Sequence, residues 1–382
     1  MLDNLKKIQK HTLKTTILSN QDIAQYYDMI VFCHLRWQFI YQRPQHIISR
    51  MAKSMKILFI EEPLYDKENK NPGTLIVVNS LLHVLQPNVK NIELIAAIIP
   101  NYVKNKSIPF GWFYSPTFSP LLEQLNFETV IYDCMDELSV SKGVPVQLIN
   151  QEKYLIAQAD IIFTNGKSLF QSKKEQHDNV YCFPNSVDEA HFAKASNGIA
   201  IADDIACIQS PIVGYFGVID ERIDLDLLNS AALRLPDVSF VLIGPISNIT
   251  KSDLPQESNI HYLGIKSYEE LPHYLKAFSI AMMPFAINDA TKNISPTKTL
   301  EYMAAGKSII STKITDVVGQ YSTCVSLIET AEEFCESITF LLDKTDRLSL
   351  EMEYHKILKK TSWDATANNM KSIIKTFAQW TI

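Results

Sequence analysis

From Met29 onward, short runs of β-branched and aromatic residues alternate with longer stretches whose apolar positions recur at three- and four-residue spacing. Met29–Cys33 and Met55–Ile60 are nearly unbroken apolar runs, as expected of strands covered on both faces, and Tyr41–Lys53 between them has helical period. The alternation continues through predicted strands at Leu75–Val78, Thr129–Tyr132, Ile161–Thr164 and Val180–Phe183, with helices at Val146–Gln158 and from Lys167. From Asn185 to Pro211 neither period holds. A second series follows, with strands at Ile212–Phe216, Ser239–Ile243, Ile260–Leu263, Ile280–Met283, Ser308–Ser311 and Val325–Ile328. Helices such as Leu225–Arg234 and Tyr268–Phe278 separate them, and the last segments, Ala331–Leu342, Leu348–Lys360 and Ala365–Trp380, are helical throughout.

Strand and helix in regular alternation predict an α/β protein with parallel, doubly wound sheets. The expected organisation is an amino-terminal Rossmann-like domain over residues 1–190, a connection over 191–210 and a carboxyl-terminal Rossmann-like domain over 211–360. A final helix over 361–382 is expected to cross back to the first domain. Ligands of open sheets sit beyond the carboxyl ends of the strands, so two such sheets facing each other predict one cleft with its chemistry just after strands.

Composition agrees with two cores: the chain has 382 residues, 46% of them hydrophobic. Its 36 Lys and Arg against 42 Asp and Glu leave a net charge of −6, which argues against nucleic acid as a partner. The cysteines Cys33, Cys134, Cys182, Cys207, Cys324 and Cys335 form no C-x-x-C pair, and most lie in apolar runs, as buried thiols of a reducing compartment do. The polar start, with Lys6, Lys7, Lys10 and Lys14, lacks the apolar core of a secretory signal, and no apolar run approaches the roughly 20 residues of a membrane span. The expectation is a cytoplasmic protein whose membrane contact, if any, is peripheral and made through those lysines.

The most informative segment runs from Ser295 to Ile310, Ser-Pro-Thr-Lys-Thr-Leu-Glu-Tyr-Met-Ala-Ala-Gly-Lys-Ser-Ile-Ile. Ser295 suits an N-cap and Pro296 a first helical position, so a helix start with free N–H groups is expected here, an anion site to which Lys298 adds a cation. Glu301, three residues on, shares the face and can accept hydrogen bonds from both hydroxyls of a ribose. An ordinary capped helix with a solvated Lys and Glu is the alternative; Ala304-Ala305-Gly306 and the strand that follows favour a helix wedged into a sheet fold. Gly306-Lys307-Ser308 is not a P-loop, because Glu301 stands where the leading glycine belongs and the triplet follows a helix.

This segment resembles the donor-binding helix of GT-B glycosyltransferases of the family-4 type. Val213-Gly214-Tyr215-Phe216-Gly217 is similar to the loop opening their carboxyl-terminal domain, and Tyr262-Leu263-Gly264 to the stretch before their base pocket. Ala281-Met282-Met283-Pro284 is similar to the strand lining that pocket, and Phe183-Pro184-Asn185-Ser186-Val187-Asp188 to the turn ending their amino-terminal domain. The resemblance implies a nucleotide-sugar donor held by Gly217, Ile265, Pro284, Ser295, Thr297, Lys298 and Glu301, with Lys298 on the diphosphate, Glu301 on the ribose and the backbone near Ile265 on the base. It implies no bound metal and no cofactor beyond the donor. Two departures stand out: Asn293 occupies the place of a second glutamate common in the family, and Asp220-Glu221-Arg222 replaces the usual Arg and Lys pair, which makes Arg222 the substitute diphosphate contact.

In the first half, His34 to His46 includes a W-x-x-x-x-Q-R-P-Q-H run similar to that of a bacterial subgroup that makes cell-surface polysaccharide. Arg36 and Arg43 are candidates for donor phosphates or an anionic acceptor, and Trp37 for stacking on a sugar ring. Packing of Trp37, Phe39 and Tyr41 with solvated arginines is the competing reading. Asp133, Asp136 and Glu137 place three carboxylates at a strand end, where one can act as general base or the aspartates can cap a helix. His34, at the first strand end, is a candidate for proton transfer or donor contact, against a structural hydrogen-bonded role. No spacing of His, Cys or acids marks a metal site.

The expected function is a hexosyltransferase-type enzyme. It would move a sugar from a nucleoside diphosphate, UDP for preference, to a saccharide or lipid-linked saccharide hydroxyl. Two rivals keep the donor site but change the outcome: a nucleotide-sugar epimerase of the same fold, and a catalytically idle sugar-nucleotide-binding partner, which the missing acid at Asn293 favours. A Rossmann oxidoreductase is disfavoured because neither half carries G-x-G-x-x-G between strand and helix.

Overall fold

A computed structural model describes residues 24–138, 144–288, 291, 297–343 and 348–377, with the backbone alone for Ser168. The lysines at 6, 7, 10 and 14, and Asn293, Ser295 and Pro296, lie outside the described residues. The chain divides into two units. Residues up to Pro184, together with Ala367 onward, form the first, and Asn185–Thr366 form the second.

The first unit is built on eight strands in the order β3-β4-β2-β1-β5-β6-β7-β8. They are β1 (Met29–Cys33), β2 (Ile57–Glu61), β3 (Gly73–Asn79), β4 (Leu82–Pro87), β5 (Ile108–Phe113), β6 (Phe127–Cys134), β7 (Ile161–Thr164) and β8 (Val180–Cys182). Every pairing is parallel except the β3–β4 hairpin at one edge. Helices α1 (Arg43–Met51), α2 (Val146–Gln158) and α3 (Lys167–Lys174) supply crossovers. The central strands β1 and β2 are buried at all their positions, as their unbroken apolar sequences require.

Strands β4 and β5 are absent from the sequence expectation, and their residues show why. β5 reads Ile-Pro-Phe-Gly-Trp-Phe, and Pro and Gly both argue against a central strand. Pro109 is tolerated because pairing with β1 begins only at Phe110. Gly111 is required because an added Cβ would stand 2.7 Å from the Phe127 ring.

The second unit has six parallel strands in the order β11-β10-β9-β12-β13-β14. They are β9 (Ile212–Phe216), β10 (Ser239–Ile243), β11 (Ile260–Tyr262), β12 (Ile280–Met283), β13 (Ser308–Thr312) and β14 (Ser326–Ile328). Counted from β9 this is the 3-2-1-4-5-6 order of a doubly wound sheet, with its direction of growth reversing between β9 and β12. Its helices are α4 (Leu225–Arg234), α5 (Leu271–Ala277), α6 (Lys298–Ala304), α7 (Thr315–Tyr321), α8 (Ala331–Asp343) and α9 (Leu348–Leu358). α10 (Trp363–Phe377) carries the chain from the second unit into the first.

The expected connection over 191–210 is not a bare linker. Short helical turns at Glu189–Phe192, Ala193–Ser196 and Asp203–Ala206 bury Phe192, Ala195 and Ile205 in the core of the second unit, and the division falls earlier, at Pro184. A few apolar side chains without period are enough to pack a segment and too few to reveal it in sequence. No helix among the described residues is long and apolar enough to cross a membrane.

Candidate functional site

In the second unit the site is set by how α6 is pinned. Thr299, Leu300, Tyr302 and Met303 face inward, and two of them reach the ends of the strands flanking the switch point. The Tyr302 hydroxyl accepts from the Phe216 N–H at the end of β9 (3.2 Å), and the Thr299 hydroxyl donates to the Met283 sulfur at the end of β12 (3.5 Å). Lys298 and Glu301, three apart, share the remaining face and are each half-buried. The helix closes as expected: Gly306 takes φ +63°, its N–H donates to the Met303 carbonyl (2.9 Å), and the Lys307 N–H donates to that of Tyr302 (3.0 Å), a Schellman end. Thr297 is its N-cap residue and is half-buried; the expected start at Ser295 lies outside the described residues.

Gly217 follows β9 at φ +145°, and a Cβ there would stand 2.4 Å from Lys298 Cε and 2.9 Å from Nζ. The positive φ favours glycine here, and any side chain would have to push the end of the lysine aside. Gly244, after β10, has φ +147° and is pressed as tightly on the Gly217 carbonyl: its Cβ would lie 1.8 Å from that oxygen. The Gly217 N–H donates to the Ile243 carbonyl (2.8 Å) and the Gly244 N–H to that of Gly264 (2.8 Å), so the ends of β9, β10 and β11 form one glycine-lined step. Ile265, immediately after it, is 38% exposed. The Pro284 carbonyl accepts from the Asp224 N–H (2.8 Å), which ties the end of β12 to the loop after β9.

Arg222 lies in that loop, its guanidinium gripped by Asp220 through Nε (2.9 Å to each oxygen) and Nη2 (2.6 Å). Asp220 is buried and Arg222 partly exposed. Lys298 Nζ lies 5.8 Å from the Tyr215 ring centroid. Burial, aided by Arg222, pulls the Lys298 ammonium below its usual range, against the opposing pull of Glu301 and Asp220. Burial also lifts the Glu301 carboxyl to about 7, although Lys298 opposes this. Both groups are thus held with their charges incompletely compensated, a state that an anion and hydroxyl donors would relieve.

In the first unit the structure separates the candidates. Asp133, at the end of β6, is fully buried and receives Arg43 Nε (3.1 and 3.3 Å) and Nη2 (3.0 Å), while Arg43 Nη1 donates to the Phe183 carbonyl (2.7 Å). This corrects two expectations: the Asp133 carboxylate is consumed by an internal ion pair, and Arg43, 4% exposed, is its partner and not a ligand for phosphate or acceptor. Trp37 is corrected too. Its ring is 8% exposed and packs edge-on against Phe59 at 5.0 Å, so it offers no stacking face and follows the competing packing reading, whereas Phe39, which that reading also packed, is exposed.

Glu137 accepts from Lys173 (3.0 Å), which also bonds Glu152 (3.0 Å), and Glu152 accepts from the Tyr132 hydroxyl (2.9 Å). This buried network anchors the loop after β6. Asp136, in that loop, is exposed. His34, after β1, has a buried Nδ1 with no hydrogen-bond partner among the described residues, and burial lowers its pKa while the nearby Asp136 charge opposes the shift. Arg36 donates to Glu61 (2.7 Å), whose carboxylate also accepts from the Trp37 N–H (2.8 Å) and the Gln86 amide (3.1 Å). Glu61, Lys173 and Glu152 were not singled out from sequence. The one available signal was an acid closing an otherwise apolar strand, Ile-Leu-Phe-Ile-Glu.

Two largely parallel sheets in series, the second in 3-2-1-4-5-6 order, match the fold of known structures over nearly the whole chain. Sucrose-phosphate synthase (tll1590) from Thermosynechococcus elongatus superposes with a TM-score of 0.68 at 14% identity, covering 91% of this chain and 98% of that one. The chain has the GT-B fold. Other GT-B structures of similar likeness are an Escherichia coli protein described as trehalose-6-phosphate, bound with UDP-2-fluoro glucose (TM-score 0.62, 11% identity, 91% and 98% covered), and Anabaena Alr3699/HepE in complex with UDP and glucose (TM-score 0.63, 11% identity, 91% and 98% covered). Residues 210–344, most of the second GT-B unit, match the family described as glycosyl transferases group 1. The putative teichuronic acid biosynthesis glycosyltransferase TuaH of Bacillus subtilis (strain 168) is 26% identical over 223 residues, which span 53% of this chain and 55% of that protein.

Proposed function

We propose that this protein is a hexosyltransferase-type glycosyltransferase acting in cell-surface polysaccharide synthesis. It takes a nucleoside-diphosphate sugar, UDP-linked, and transfers the sugar to a hydroxyl of a saccharide or lipid-linked saccharide. The observation that carries the reading is the placement of Lys298 against Gly217, with Glu301 on the same helix face, at the switch point of the group 1 unit. Lys298 and Arg222 meet the diphosphate, Glu301 the ribose hydroxyls, and the backbone after Gly264 the base. Lys298 supplies the cation, and Arg222, whose charge Asp220 already meets, adds N–H donors to the diphosphate; this reading includes no metal. UDP appears in the names of two structures of the same fold, and teichuronic acid biosynthesis in the name of the sequence relative.

With Asp133 and Glu137 held in ion pairs, Asp136 is the carboxylate at this strand end exposed to an acceptor, and His34 lies within its electrostatic reach. We assign Asp136 as general base and His34 as the second candidate for the proton. Calorimetry tests the donor half: Lys298→Ala should weaken UDP far more than uridine, and Glu301→Ala should weaken both. Equal losses for UDP and uridine in the lysine variant would remove its diphosphate role. Turnover tests the other half. Asp136→Asn should lower it by about 10²- to 10⁴-fold with donor affinity intact, and near-normal turnover in this variant and in His34→Gln would exclude both residues.

A further inference from the structure

The first unit contains a cavity of about 260 Å³ at the carboxyl ends of β1, β2 and β4, close to the lower end of the roughly 300–1,000 Å³ usual for small-molecule sites. Arg36, Gln38, Phe39, Leu64, Asn69 and Gln86 line it. Its outer wall, the loop after β2, is fixed in place by Asn88, whose amide donates to the carbonyls of Asp66 (3.3 Å), Asn69 (2.8 Å) and Asn71 (2.9 Å) and accepts from the Asp66 N–H (2.7 Å). Its floor is fixed by Glu61, which is fully buried and bonded to Arg36 and Gln86.

The lining combines two kinds of surface. Phe39 and Leu64, 37% and 49% exposed, offer an apolar wall, and the amides of Gln38, Asn69 and Gln86 bring both donors and acceptors. A sugar ring has the matching pair of features, a C–H face for the wall and hydroxyls that donate and accept. Charge then selects among sugars. Among the described residues that line it, the cation is Arg36, already neutralised by Glu61, and Asp66 adds a negative charge at the rim. Among the described lining residues, a phosphate or carboxylate entering here would meet no uncompensated positive charge.

We propose that this pocket is the acceptor subsite and that it selects an uncharged saccharide over a sugar phosphate or a uronate. The subsite role rests on the glycosyltransferase reading; the selection rests on the pocket's own charges. The test is saturation-transfer NMR on the full chain, with cellobiose and diacetylchitobiose as neutral probes and glucuronate and glucose 6-phosphate as anionic ones, and UDP titrated in parallel. The neutral disaccharides should bind about tenfold more tightly than the anions, for which Asp66 is a like charge. Gln38→Ala and Phe39→Ala should each weaken them about 5- to 10-fold through loss of a hydrogen bond or the ring contact, with UDP affinity unchanged. Glu61→Gln should shift the preference toward the anions. Equal binding of anions and neutral sugars, no saturation of any neutral probe, or full binding in both the Gln38 and Phe39 variants would overturn the proposal. Failure of UDP to bind would remove the glycosyltransferase reading instead, and the sugar preferences would still decide whether the pocket selects.

Discussion

The backbone of Gly217 lies against the ammonium end of Lys298, so closely that a single added carbon would stand 2.9 Å from Nζ and 2.6 Å from the Tyr215 hydroxyl. The loop after β9 and the helix after β12 are thereby fitted to each other through one residue without a side chain, and the lysine is held at the switch point of the sheet.

Replacing Gly217 by Ala should therefore disturb the lysine before anything else. The variant adds a Cβ at φ +145°, where L-residues are strained, and forces Lys298 aside. The expected outcome is a loss of about 1–3 kcal/mol in stability together with a larger fractional loss of UDP affinity than of uridine affinity. Urea unfolding and calorimetry on the same sample measure both. A destabilised protein with unchanged UDP affinity would show that the close approach serves packing alone.

Arg43 and Asp133 form a buried pair, and the cost of breaking such a pair lies mostly in the charge left behind. Asp133→Asn and Arg43→Met should each destabilise the first unit by about 3–5 kcal/mol. The double variant should recover much of that loss, because both charges leave together. A double-mutant cycle by urea unfolding gives the coupling; strictly additive losses would mean that the pair is not a unit.

Glu301 supplies a pH signature. Its carboxyl sits at about 7 in the folded protein against an ordinary value of 4.5, so the folded state binds the proton more tightly than the unfolded one. The associated stabilisation is complete below about 4.5 and is lost as the pH rises through 7. Glu301→Gln should flatten the stability profile across that window. Uridine, which carries no titrating phosphate, should bind more tightly as the carboxylate forms toward pH 8, because the charged group accepts the ribose hydroxyls better. A uridine affinity independent of pH from 6 to 8 would remove the ribose contact.

How much of this was legible in the chain follows from the range of each interaction. Strand–helix alternation, the doubly wound class, the helix carrying Lys298 and Glu301 and the glycine at its end are written in periods and neighbours a few residues apart, and sequence determined them. Local reading missed β5, whose Pro109 and Gly111 are acceptable only because pairing with β1 starts late and Phe127 fills the glycine's space. The fates of polar residues in the first unit were decided by the tertiary structure alone. Asp133 is silenced by an arginine 90 positions away, Glu61 is recruited by Arg36 and Gln86 on either side of it, and Trp37 turns inward onto Phe59. A carboxylate at a strand end has the same local signature whether it meets solvent or a buried guanidinium. Which of the two it meets depends on long-range burial, where an unpaired charge is too costly to persist.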